Sequence, residues 1–207
     1  MLNTTPIPIT PKPVSGEKAK AVRMAVRQAV NSKTENDISR LATVDDVDTF
    51  LEFLKDPAVS APIYTLPVEL TRETIKRFIE KHIEEREKGI GLLFFNYDAD
   101  GNFGGYTDMC IWPEFAMGEL GGAVHPNRQG SRKGIEGARS GFDWMFETLG
   151  LDVICETASL ENVRTARLLD GLGFRRAGQT LSKREDGTER ASLVWEITKS
   201  EWNNPGV

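Results

Sequence analysis

The chain has 207 residues, enough for one sizeable domain with an appendage, and its 39% hydrophobic and 28% charged residues are those of an ordinary globular protein. Its formal net charge of −5 is unevenly spread: residues 1–36 hold Lys12, Lys18, Lys20, Arg23, Arg27 and Lys33 against Glu17 and Glu35, about +4, which leaves about −9 for the remainder. That balance argues against a nucleic-acid-binding surface on the main body and confines any contact with RNA or an acidic partner to the basic segment.

Pro6, Pro8, Pro11 and Pro13 make the start an extended, unpaired segment, and residues 17–30 can form a short helix with Val22, Val26, Ala29 and Val30 on one side. Residues 1–36 therefore read as a basic, proline-rich arm, solvated or docked, and residues 37–207 as the domain. Ile38–Leu41 is a short strand. Thr43 and Asp46 form a capping pair before Val47, Phe50, Leu51 and Leu54, and Asp56-Pro57 stops that helix. A second helix spans Thr71–Lys88, with Ile75, Phe78, Ile79, His82 and Ile83 on one face and Gly89 closing it. His82 on that stripe reads as a satisfied core or boundary residue.

The middle is β. Leu92–Tyr97, a turn at Asp98–Gly101, Phe103–Ile111 and Phe115–Val124 give three strands in succession. After the polar loop Asn127–Gly134, an amphipathic helix carries Ile135, Ala138, Phe142, Met145, Phe146 and Leu149. Strand Leu151–Thr157 and helix Asn162–Leu172 follow, then a hairpin of Phe174–Ser182 and Ala191–Ile197 around Asp186-Gly187. The order β-α-α-β-β-β-α-β-α-β-β predicts an α+β fold whose central sheet is mixed.

A strand that empties into a glycine-containing loop at a helix N-terminus is an anion site, because first-turn N–H groups lack intrahelical partners. Arg128, Arg132 and Lys133 add cations there, and Gly130, Ser131 and Gly134 let the backbone approach a phosphorylated ligand. Neither the phosphate-loop nor the Rossmann glycine pattern is present. Cys110 and Cys155, each in an apolar stretch, read as reduced core thiols, and with two His and no close His/Cys pairing no zinc site can be written. No apolar run approaches ~18 residues and the start lacks a secretory pattern, so a cytoplasmic protein is expected.

From Ile38 to Trp202 the chain resembles the GCN5-related N-acetyltransferases (GNAT), and within them the branch acting on ribosomal-protein N-termini. The resemblance is carried by Asp56-Pro57-Ala-Val, Glu119-Leu-Gly, Val124-His-Pro126, the loop, and Asn162-Val-Arg-Thr165-Ala-Arg-Leu-Leu-Asp-Gly-Leu-Gly-Phe174, with Ser200-Glu-Trp202 on a closing strand. It implies a mostly antiparallel GNAT sheet flanked by helices and acetyl-CoA as donor, its pyrophosphate on Gln129, Gly130, Ser131, Arg132, Lys133 and Gly134. The family pattern there is Gln/Arg-x-x-Gly-x-Gly/Ala. Arg132 stands where its first glycine belongs, either crowding the phosphates or supplying a bidentate contact.

The resemblance further implies that Glu119 takes the proton of the attacking amine and that backbone groups near Ala123 and Val124 hold the pantetheine arm. Asn162 would touch the cofactor and Thr165 would serve the leaving thiolate, in place of the late tyrosine this chain lacks. The expected reaction is direct acetyl transfer to a primary amine in a ternary complex, a polypeptide N-terminus first, with polyamines, antibiotics or aminoacyl-tRNA as other acceptors. A non-catalytic acyl-CoA-binding or adaptor module on the same fold is the competing reading. Oligomeric state stays open.

Overall fold

The computed structural model describes residues 10–33, 37–126, 133–184 and 186–204. In chain order the elements are α1 (Gly16–Gln28), β1 (Ser32–Lys33), β2 (Asp37–Leu41), α2 (Val47–Leu54), α3 (Pro57–Ser60), α4 (Arg72–Lys88), β3 (Gly91–Asp98) and β4 (Phe103–Trp112). They continue with β5 (Met117–Val124), α5 (Lys133–Glu147), β6 (Val153–Ser159), α6 (Val163–Gly171), β7 (Arg175–Lys183), β8 (Glu189–Thr198) and α7 (Lys199–Asn203). Among the described residues eight strands form one sheet in the order β1-β2-β3-β4-β5-β6-β8-β7. Only β5 and β6 are parallel, so the expected α+β, mostly antiparallel architecture is what the chain adopts.

Several boundaries differ from the sequence reading for local reasons. Asp56-Pro57 does end α2, but it also starts α3: Pro57 occupies the first helical position and the Asp56 carboxylate accepts from the Ala58 N–H at 2.9 Å. Pro113–Phe115 forms a 3₁₀ turn and Ala116 takes φ 44°, so β5 starts at Met117 rather than Phe115. The segment with Ser200 and Trp202, expected on a strand, is helix α7, capped by Thr198. Its Trp202 indole donates to Asp143 at 2.6 Å and packs against Phe142 and Phe174.

Strand alternation divides the core between the two faces of the sheet. Leu93, Phe95 and Tyr106 meet Phe50, Phe53, Ile75, Phe78 and Ile79 of α2 and α4 on one face. Leu92, Phe94, Met109, Ile111 and Ile154 meet Val22 and Val26 of α1 and Phe142, Met145 and Phe146 of α5 on the other. The basic N-terminal segment is thus docked on its own domain. Arg23 and Arg27 donate to the carbonyls of Lys88 and Glu87 at the end of α4, and Arg86 of α4 donates to those of Arg27 and Ala29 at the end of α1. Each helix end receives cations from the other, where the dipole favours them. Lys18 pairs with Asp152 at 2.8 Å and Arg23 with Glu114. Gly89 ends α4 at φ 75°, and a Cβ there would lie 2.7 Å from the Arg23 carbonyl oxygen. Both the left-handed turn and the contact with α1 require glycine. No helix among the described residues is long and apolar enough to cross a membrane.

Candidate active site

The site grows from a failure of strand pairing. β5 and β6 pair only at Met117↔Val153 and Gly118↔Ile154, then part, and two carboxylates bridge the gap from opposite faces. On the α2/α4 face Glu119 accepts from the Thr157 backbone N–H at 3.0 Å and from the Thr157 hydroxyl. On the other face Glu156 accepts from the Leu120 N–H at 2.8 Å. Beyond this point β5 pairs with no strand on its β6 side among the described residues. The His125 N–H joins Gly104 at 2.9 Å, which fixes the alternation: Glu119, Gly121 and Ala123 turn their amides into the β4 ladder, while Gly122 and Val124 turn theirs toward the divergence. Of Ala123 and Val124, expected near the pantetheine arm, Ala123 is paired to Tyr106 and Val124, like Gly122, turns its amide toward the divergence.

Removal from water raises the Glu119 carboxyl, its two bonds from Thr157 pull it down, and Asp108 raises it again; the outcome is about 7. Burial, followed by the charge of Glu119, pushes Glu156 well above the usual carboxylate range. Asp108 lies across from Gly121 on the α2/α4 face and binds His82 of α4, Nε2 to Oδ1, at 3.0 Å. The other ring nitrogen donates to the Phe78 carbonyl at 2.8 Å. Burial works against the imidazolium, but Asp108, the Phe78 carbonyl and Glu85 together raise His82 to about 8. Cys110, expected as a core thiol, is exposed: it stands directly across from Glu119 on the same face. Cys155 is buried as expected. Glu119 is half-buried on this face, with Asp108 and Cys110 beside it on β4.

β5 and β6 run the same way, so α5 and α6, which follow them, both start at the edge where the strands part and aim their N-termini at it. A Cβ at Gly134 or Gly137 in the first turns of α5 would meet nothing within 4 Å, so that surface is bare backbone. Val124, Ile135, Leu160 and Val163, all at this edge, are exposed apolar side chains. A sequence profile of the acetyltransferase (GNAT) domain matches residues 38–175. The chain belongs to the GNAT acetyltransferase family.

Among solved structures this GNAT chain resembles ribosomal-protein-S5-alanine acetyltransferase from Vibrio fischeri, at 18% identity and TM-score 0.67, over 84% of this chain and 99% of that one. RimJ from Mycobacterium smegmatis, solved with CoA-disulfide, matches at 20% identity and TM-score 0.67 over 80% and 83%. Spermidine N-acetyltransferase from Vibrio cholerae, solved with CoA and spermine, matches at 18% and 0.67 over 83% and 100%. A search of curated protein sequences gives no match.

The GNAT site fits an acyl-CoA: amides turned away from the β4 ladder suit an amide-bearing arm, the first turn of α5 with Gly134 and Gly137 suits phosphate, and the apolar rim suits methylenes. Of the expected contacts, Gln129, Gly130, Ser131 and Arg132 lie outside the described residues. Lys133 opens α5 and Gly134 follows it. Asn162 caps α6, its side-chain oxygen accepting from the Thr165 N–H at 3.1 Å, so these two residues meet each other at the edge. The structure adds three groups that sequence reasoning left out of the site: Asp108, His82 and Glu156. His82 was legible as buried, but its partner is 26 positions away on β4. Glu156 alternates with core residues and had no signal of its own.

Proposed function

We propose that this GNAT acetyltransferase moves an acetyl group from acetyl-CoA to a primary amine, a polypeptide N-terminus before others, with Glu119 as general base. The observation that carries the reading is Glu119 itself, a half-buried carboxylate at the strand divergence whose pKa is raised to about 7. A base so tuned accepts a proton from an ammonium ion yet is about half ionised at neutral pH. Acetyl-CoA supplies the thioester; the amine nitrogen bonds to its carbonyl carbon, the C–S bond breaks, and the thiol leaves with a proton. Glu119 holds the proton given up by the amine. Gly122 and Val124 offer backbone groups to the pantetheine arm, and α5 offers its first turn, with Gln129 to Gly134, to the pyrophosphate. Thr165 at the start of α6 is the donor to the leaving sulfur. The ribosomal-protein acetyltransferase among its structural neighbours supports the peptide acceptor. The acidic lining of Asp108, Glu119 and Glu85 supports a second reading, a polyamine.

Glu119→Gln tests the assignment, since its amide oxygen can still accept from Thr157. Thiol release should fall about 100-fold or more, with calorimetric affinity for acetyl-CoA nearly unchanged. Wild-type kcat/KM should rise with pH around 7, and the variant should lack that limb. Retained turnover removes Glu119 as the base; absent acetyl-CoA binding in the wild type removes the donor.

A further inference from the structure

The loop after α3 meets the β7–β8 hairpin through an unusual contact. The guanidinium carbons of Arg184 and Arg190 lie 4.4 and 4.3 Å from the centre of the Tyr64 ring. Arg190 donates to the Pro62 carbonyl at 3.1 Å and Arg184 to that of Ile63 at 3.4 Å. Stacking on tyrosine and binding two carbonyls accounts for a small part of ten N–H donors. Both Nε atoms are buried without a partner. Among the described residues neither guanidinium makes an ion pair with a carboxylate: Glu189 goes to Lys183 at 3.1 Å, and Asp186, which feels the Arg184 charge, bonds the Thr188 N–H and hydroxyl of its own turn. Burial lowers the Arg190 pKa, Tyr64 beside it raises it, and the Arg184 charge lowers it again. Two like charges held together with orphaned donors are costly unless something anionic completes them.

Their location gives that anion a role. Val194 stands opposite Thr157, the residue that holds Glu119, and Ser192 opposite Ser159. Alternation along β8 puts Val194, Ser192 and Arg190 on one face, the same face as Glu119. Val194 and Arg190 are four positions apart on the strand, about 13 Å at strand rise, which an extended peptide covers in about four residue steps. We propose that Arg184 and Arg190 form an anion clamp on the Glu119 face of the sheet, binding an acidic side chain about four residues behind the N-terminal amine that is acetylated. The clamp rests on the acetyl-transfer reading and narrows its acceptor to acidic peptides. It turns a polyamine away, since a second ammonium would face two guanidiniums.

Three octapeptides that differ only in a glutamate, glutamine or lysine at the fifth position test this with the full-length protein. The glutamate peptide should have the lowest KM, about tenfold or more below the glutamine peptide, and the lysine peptide the highest. In Arg190→Gln and Arg184→Gln the glutamate-to-glutamine ratio should collapse toward one. Equal KM values in the wild type, or a preference for lysine, overturn the clamp without any variant. A rise in the KM for acetyl-CoA in the variants, with the peptide ratio kept, overturns it too, by giving the arginines to the cofactor. If no peptide is acetylated, calorimetric titration with the same three decides separately. Tighter binding of the glutamate peptide upholds the clamp and places the failure on the functional reading, whereas equal binding overturns the clamp.

Discussion

Held between the Phe78 carbonyl and Asp108, His82 keeps a proton that a free histidine has largely lost at the same pH. Its folded pKa, about 8 against 6.5, makes the pair stabilising below pH 6.5 and takes that contribution away as pH rises through 8. Glu119 acts in the same direction in a lower window, since its raised carboxyl favours the folded state below about 4.5 and loses that effect by about 7. Urea midpoints should therefore fall from pH 6.5 to 8.5 in the wild type, by about 2 kcal/mol of unfolding free energy. His82→Gln should flatten this window and leave the lower one. An unchanged slope in the variant would mean that His82 is neutral throughout. The sequence marked His82 as buried through its place on a helical stripe and marked Glu119 through the family resemblance. It had no means to join His82 to Asp108, because that contact depends on how α4 lies across β4.

At the scale of elements, the opening between β5 and β6 depends on backbone that only glycine adopts. Gly122 has φ 133°, and a Cβ there would lie 2.2 Å from the Tyr106 carbonyl oxygen, while at Gly121 the nearest atom would be 3.7 Å away. Gly122→Ala should cost about 2 kcal/mol or more in stability and raise the KM for acetyl-CoA, because this residue turns its amide to the gap. Gly121→Ala should keep the wild-type melting temperature within a few degrees. Equal losses in the two variants would show that the strand tolerates neither and that the gap owes nothing special to Gly122. Periodicity, capping residues and turn glycines made most helices and strands legible, down to Gly89 and the Asp98–Gly101 turn. It did not reveal where β5 stops pairing with β6. That depends on Glu119 and Glu156 crossing between strands 36 or more positions apart, and no local pattern records such a crossing.

For the whole molecule, half of the basic residues that set residues 1–36 apart in the sequence, Lys18, Arg23 and Arg27, are used inside the fold. The family match begins at residue 38, yet Val22 and Val26 are almost fully buried against strands within it, and arginines of α1 cap α4. Val26→Ala removes about two methyl groups from this core and should cost about 2 kcal/mol with its cavity, several degrees in Tm for a chain of this size. Removing residues 1–31 should do far more, because Leu92, Phe94 and Met109 lose their cover and α4 loses its partner at Gly89. With total stabilities of about 5–15 kcal/mol, the truncated chain should bind an exposed-apolar-surface dye and melt well below the full one. An arm that served only to attract an acidic or RNA-linked acceptor predicts the opposite pair of results: Tm unchanged and the acceptor KM raised in a salt-dependent way. Exchange of the exposed Lys12 and Lys20 for glutamine separates the two, since neither lysine enters the α1–α4 contacts. If α1 is part of the core, that double variant melts with the wild type while the truncation does not.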